Sequence, residues 1–117
     1  MKLFRKVDLE ALRKNHARQK PVKGTDAEID FKPVVKLFTP DAGATWLLTE
    51  LEDDGDTLFG LCDLGMGEPE LGYVSLRELK MARGRLGLPV ERDRWFKARK
   101  TVGEYARDAR EKGRLYA

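Results

Sequence analysis

One thiol, one imidazole and two groups of carboxylates are the residues from which this chain could assemble a reactive centre. Nucleophilic catalysis would have to use Cys62, with His16 as the only imidazole and Asp63 or Asp41 as its orienter. Cys62 stands inside an apolar run and His16 in an Arg/Lys-rich segment far away in sequence, so an inert thiol is expected. One Cys and one His fall short of the N/S ligands that zinc needs, and no metal or cofactor is expected. Ser75 lacks a Gly-x-Ser-x-Gly elbow and reads as a helix cap.

The carboxylates offer hard oxygen ligands or acid/base pairs. In the turn Glu52-Asp53-Asp54-Gly55-Asp56 the order and length do not fit a calcium loop. Glu68 and Glu70 straddle Pro69 and point the same way in extended backbone, as the paired carboxylates of a small hydrolase must. The plainer reading leaves them solvated or paired with arginines of the C-terminal segment. Gly65, Gly67 and Gly72 space the same loop, but Asp63, Glu68 and Glu70 disfavour a phosphate cradle, and the glycines are expected to supply positive-φ turns. Asp63, Glu68 and Glu70 together suit a different task, an acidic bait for a protein partner.

The pattern most suggestive of binding is Arg92-Asp-Arg94-Trp95-Phe96-Lys97-Ala-Arg99-Lys100. Its cations would neutralise phosphates while an exposed Trp95 or Phe96 stacks on an unpaired base, the combination of a single-strand binder. The competing expectation is that one of the aromatics anchors the segment to the core. Arg5, Lys6, Arg13, Lys14, Arg18 and Lys20 extend the basic surface or form a solvated face. Trp46 and Tyr73 lie among aliphatic strand residues and are expected in the core.

These residues need elements to hold them. Asp8 reads as the N-cap of a helix over about Leu9 to Arg18, and Pro21 to Lys32 as a connector. Val34 to Phe38, Ala44 to Leu51 and Leu58 to Leu64 read as strands, the last two joined at Asp54-Gly55, with Tyr73 and Val74 adding another. Ser75 and Glu78 open a helix ending near Gly84, and Thr101 and Glu104 open a final helix ending at Gly113. The segment from Leu86 to Phe96 contains a candidate edge strand. The prediction is one α+β domain over 1–117: an N-terminal helix and connector over 1–32, then a mainly antiparallel sheet of three to five strands with two or three short helices.

With 117 residues, one core is expected. A single cysteine excludes an internal disulfide and fits a reducing, cytoplasmic setting. No apolar h-region follows Met1 and no long apolar run occurs, so neither export nor a membrane span is expected. Net charge divides into thirds of +5 (1–40), −8 (41–80) and +6 (81–117). That division predicts an acidic and a basic face, unless the ends fold over the middle and neutralise it.

The blocks Lys36-Leu-Phe-Thr-Pro40, Ala44-Thr-Trp-Leu-Leu-Thr-Glu-Leu51, Phe59-Gly-Leu-Cys-Asp-Leu-Gly65, Pro69-Glu-Leu-Gly-Tyr-Val-Ser-Leu76 and Gly87-Leu-Pro-Val-Glu-Arg-Asp93 resemble a bacterial domain-of-unknown-function family, over roughly 33 to 112. The resemblance implies carriage on plasmids and other mobile elements, sometimes beside antirestriction and conjugation genes. It brings no catalytic or binding residues. The expected function is a non-catalytic accessory or counter-defence module that binds single-stranded nucleic acid or a host defence protein through its basic ends. The alternatives are an inhibitor using the acidic loop as bait and a hydrolase using clustered carboxylates. Oligomeric state is left open.

Overall fold

The computed structural model describes residues 2–117. At its centre is the hairpin of β2 (Thr45–Leu51) and β3 (Thr57–Asp63). Its turn is set by Gly55 at φ 73° and by the Asp54 carboxylate. That carboxylate accepts from the Thr57 hydroxyl at 2.6 Å and from the Thr57 and Asp56 amides at 2.8 and 2.9 Å. The hydroxyl bond, followed by the amides, holds the Asp54 pKa down to about 2.

On the free side of β3 lies β4 (Glu70–Ser75), and on the free side of β2 lies β1 (Val35–Phe38), itself bordered by the short β5 (Glu91–Arg92). The order is β4-β3-β2-β1-β5, antiparallel throughout. Three helices complete the α+β fold: α1 (Lys6–Gln19), α2 (Leu76–Met81) and α3 (Val102–Lys112).

Every residue of β2 from Trp46 to Leu51 is buried, because helices cover both faces of the sheet. Successive side chains point to opposite faces, and Leu48 and Leu47 accordingly fall into separate cores. Leu48 packs with Trp46, Leu37 and Leu58 against Leu12 of α1 and Leu79 of α2. Leu47 packs with Leu61 beneath Val102, Tyr105, Ala106 and Ala109 of α3. A register shift between Leu48 and Glu50 lets the strand bend, and Gly60 sits where it does. A Cβ at Gly60 would overlap the Leu47 carbonyl and stand 2.8 Å from the Leu48 Cα, so only glycine fits.

Four local expectations are corrected. Helix α1 begins at Lys6, with Arg5 as N-cap, and Asp8 is its third residue. The reason is reciprocal: the Arg5 amide and guanidinium donate to the buried Asp8 carboxylate at 3.0 and 2.8 Å, a bond pattern that closes the first turn from inside. Helix α2 stops at Met81 rather than near Gly84, because Asp41 Oδ2 accepts from the Leu86 and Leu88 amides and draws the chain into a loop bridged at Arg83 and Pro89. Tyr73 is not core; it is 52% exposed on the edge strand, with the tilted Phe59 ring 5.1 Å away and the Lys23 ammonium 4.9 Å from its centroid. Gly72 makes no positive-φ turn and lies inside β4 opposite Gly60, whereas Gly65 and Gly67 do turn, at φ 80° and 81°.

Candidate nucleic-acid interface

The basic-aromatic segment leaves β5 in a tight turn. The Asp93 amide donates to the Lys36 carbonyl at 2.9 Å, and Asp93 Oδ1 accepts from the Trp95 amide at 2.9 Å. The turn sends adjacent aromatics in opposite directions: Phe96 packs on the α3 core, while the Trp95 indole is 89% exposed. One ring is thus exposed and the other anchored, as the two expectations for the pair had them separately. Downstream, the Arg99 amide donates to the Tyr105 hydroxyl at 3.0 Å. Thr101 then caps α3, its hydroxyl and the Glu104 carboxylate closing a capping box.

The result is a groove of about 460 Å³ in which Trp95, Phe96, Lys97, Arg99 and Lys100 meet Tyr116. Lys112 Nζ and Arg114 Cζ stand 5.2 and 4.8 Å from the Tyr116 ring centroid, so the second wall repeats the basic-aromatic chemistry of the first. Lys36 joins the walls, donating to the Ala117 carbonyl at 2.8 Å with its ammonium 3.6 Å from Asp93. Sequence reading missed Tyr116, Lys112, Arg114 and Lys36. The only local signal was Lys112-Gly-Arg-Leu-Tyr116, one tyrosine behind a helix C-cap. Arg92 and Arg94 do not line this groove. They border a neighbouring hollow of about 160 Å³ with Arg5, and Arg92 donates to the Lys2 and Leu3 carbonyls, fastening the N-terminal segment.

The three predicted bait residues do not act together. Asp63 is buried, its two oxygens taken by the Gly65 and Leu115 amides, each at 2.8 Å, so it clamps the C-terminal tail to the end of β3. Glu68 and Glu70 are exposed and share a shallow depression with Arg110. Exposed Leu64 and Met66 precede them.

Cys62 and His16 do not meet. Cys62 pairs across the sheet with Trp46 and Glu70, and burial pushes its thiol up to about 11. His16 Nδ1 lies 3.4 Å from Glu50 Oε1. Among the described residues no group of His, Cys, Asp and Glu is arranged to hold a metal ion, and no helix is long and apolar enough to cross a membrane.

Fold and site together define a small α+β domain with a five-stranded antiparallel sheet covered on both faces and an open basic-aromatic groove at the end of α3. The sequence matches the family described as "Protein of unknown function (DUF2958)" over residues 3–116, and the chain belongs to that family. The match takes in α1 and the connector as well as the blocks of 33–112. Comparison with curated proteins and with solved structures gave no match.

Proposed function

We propose that the chain is a non-catalytic accessory module that binds single-stranded nucleic acid in the groove between the segment 93–100 and the C-terminal tail. The observation that carries this reading is the 89% exposed Trp95, presented by a turn whose next residue, Phe96, is anchored in the core. A base stacked on such a ring contributes about 1–3 kcal/mol without regard to its identity. Lys97, Arg99, Lys100, Lys112 and Arg114 supply the phosphate attraction. Carriage on mobile elements, which the family resemblance implies, supports a counter-defence setting in which exposed single strands are protected or handed on.

The test is fluorescence anisotropy with labelled oligo-dT at about 50 and about 200 mM salt. Binding that weakens steeply with salt is expected, and Trp95→Ala should cost about tenfold in affinity. Salt-insensitive binding, or full affinity in the Trp95→Ala protein, overturns the reading.

One observation favours a second reading. Met66, 76% exposed, and Leu64 sit on the loop that carries Glu68 and Glu70, an acidic-apolar surface suited to a basic cleft on a host protein. Here a Glu68→Lys, Glu70→Lys double variant would lose the captured protein and keep the oligonucleotide.

A further inference from the structure

We infer that the cavity over Phe59 and Tyr73 is a base pocket selective for guanine; this rests on the strand-binding reading above and names what the strand must present. The cavity, about 350 Å³, is walled by Phe59, Tyr73, Leu71, Ile29 and Val102, with Glu50 among its lining residues. Glu50 follows the register shift in β2 and is only 6% exposed. Its Oε1 has one long contact, 3.4 Å to His16 Nδ1. Oε2 is not sealed away without a partner, so it keeps solvent access and can accept from a donor that enters the cavity. At the mouth, the Lys23 ammonium bonds the Tyr73 hydroxyl and stands 4.9 Å from that ring's centroid.

The donor pattern selects the ligand. Guanine carries two adjacent N–H donors, N1–H and N2–H, on its Watson–Crick edge, and these match the two oxygens of one carboxylate. Adenine and cytosine set an acceptor beside their donor, and thymine flanks one N–H with two carbonyls, so each turns a lone pair toward Glu50. The tilted rings of Phe59 and Tyr73, 5.1 Å apart, offer aromatic surface to the base, and Lys23 offers a cation to its phosphate. Lys100 lines the aromatic groove, while Val102 and Gly103 line the cavity, so a strand stacked on Trp95 reaches the cavity past the start of α3.

The experiment compares labelled oligo-dT with the same strand carrying one central deoxyguanosine or one deoxyinosine, which lacks the 2-amino donor. The guanine strand should bind about tenfold tighter than oligo-dT, with the inosine strand between them. Glu50→Gln, which keeps the shape of the side chain but replaces one acceptor with a donor, should bring the ratio to unity. Because Glu50 is buried beside His16, Tyr73→Ala at a half-exposed position gives a second variant with the same expected loss of preference. On the unaltered protein, guanosine monophosphate should shift the NMR signals of Tyr73 and Glu50, and adenosine monophosphate should not. Equal affinity for all three strands, with guanosine monophosphate silent, overturns the inference and leaves strand binding standing. If no strand binds while guanosine monophosphate still shifts Tyr73, the strand-binding reading falls and the cavity stands as a site for the free nucleotide.

Discussion

At the scale of single residues, burial and not residue type separates the groups with structural work from those left to solvent. Asp63, Glu68 and Glu70 are alike in a sequence, yet Asp63 is enclosed with both oxygens satisfied by backbone amides, and the other two face solvent. Asp63→Ala would leave the Leu115 amide without its acceptor and free the tail that carries Tyr116. We expect a loss of about 2–4 kcal/mol in urea unfolding, faster hydrogen exchange at Leu115, and weaker strand binding through the loosened groove wall. Cys62 makes a separate prediction. Its folded pKa, about 11, lies above its ordinary 9.0, so its contribution to stability is complete below about pH 9 and is lost as pH rises toward 11. Alkylation by iodoacetamide near neutral pH should therefore be slow in the folded chain and become rapid in denaturant; fast labelling of the native protein would contradict a half-buried thiol whose ionisation is held back.

At the scale of elements, what could be read from the sequence was what neighbouring residues decide among themselves. The hairpin at Asp54-Gly55 and the α3 cap at Thr101 and Glu104 were legible because each is closed by groups within three residues. The end of α2 and the exposure of Tyr73 were not, since Asp41, which ends α2, and the edge position of β4 come from remote parts of the chain. The start of α1 is local, and was misplaced because Asp8 suits the N-cap as well as the third helical position it occupies. The same limit hid half of the candidate groove: Trp95 to Lys100 form one continuous run, whereas Tyr116 joins them only because Asp63 and Lys36 hold the tail in place. The α3 cap also has a long-range part, for Asp30 accepts from the Thr101 hydroxyl at 2.6 Å and from the Gly103 amide at 2.9 Å. Thr101→Ala should therefore cost about 1–2 kcal/mol, toward the upper end for a cap, in thermal or urea unfolding. The hairpin turn predicts an acid effect. Asp54 has a depressed pKa, so its stabilisation is present above its ordinary 3.8 and fades as pH falls toward 2. Thr57→Val removes the strongest cause, and an NMR titration should find the Asp54 carboxyl returning toward 3.8.

At the scale of the whole molecule, the question is whether a negative centre cancels the positive ends. The pairs that reach the central third come from the N-terminal one, His16 with Glu50 and Lys20 with Asp53, while Asp54, Asp56 and Asp63 accept from hydroxyls and backbone amides. Lys100 and Lys112 are tied to Asp108 of α3, outside the acidic third. These surface pairs are worth little and hold their lysines only weakly. The groove therefore keeps its attraction although net charge is only +3. If the groove binds a strand as proposed, two physical effects would act there, and they would leave different marks on a plot of log affinity against log salt. Phosphate contacts set the slope, about −0.7 each for a single strand, so three or four contacts give about −2 to −3. Stacking on Trp95 would set the height of the line. Lys97→Gln and Arg114→Gln should each flatten the slope by about 0.7. Trp95→Ala should lower the line at every salt concentration and keep its slope, and Glu68→Gln, on the far loop, should leave both unchanged. A Trp95→Ala protein that lost slope instead of height would mean that the indole only positions its basic neighbours.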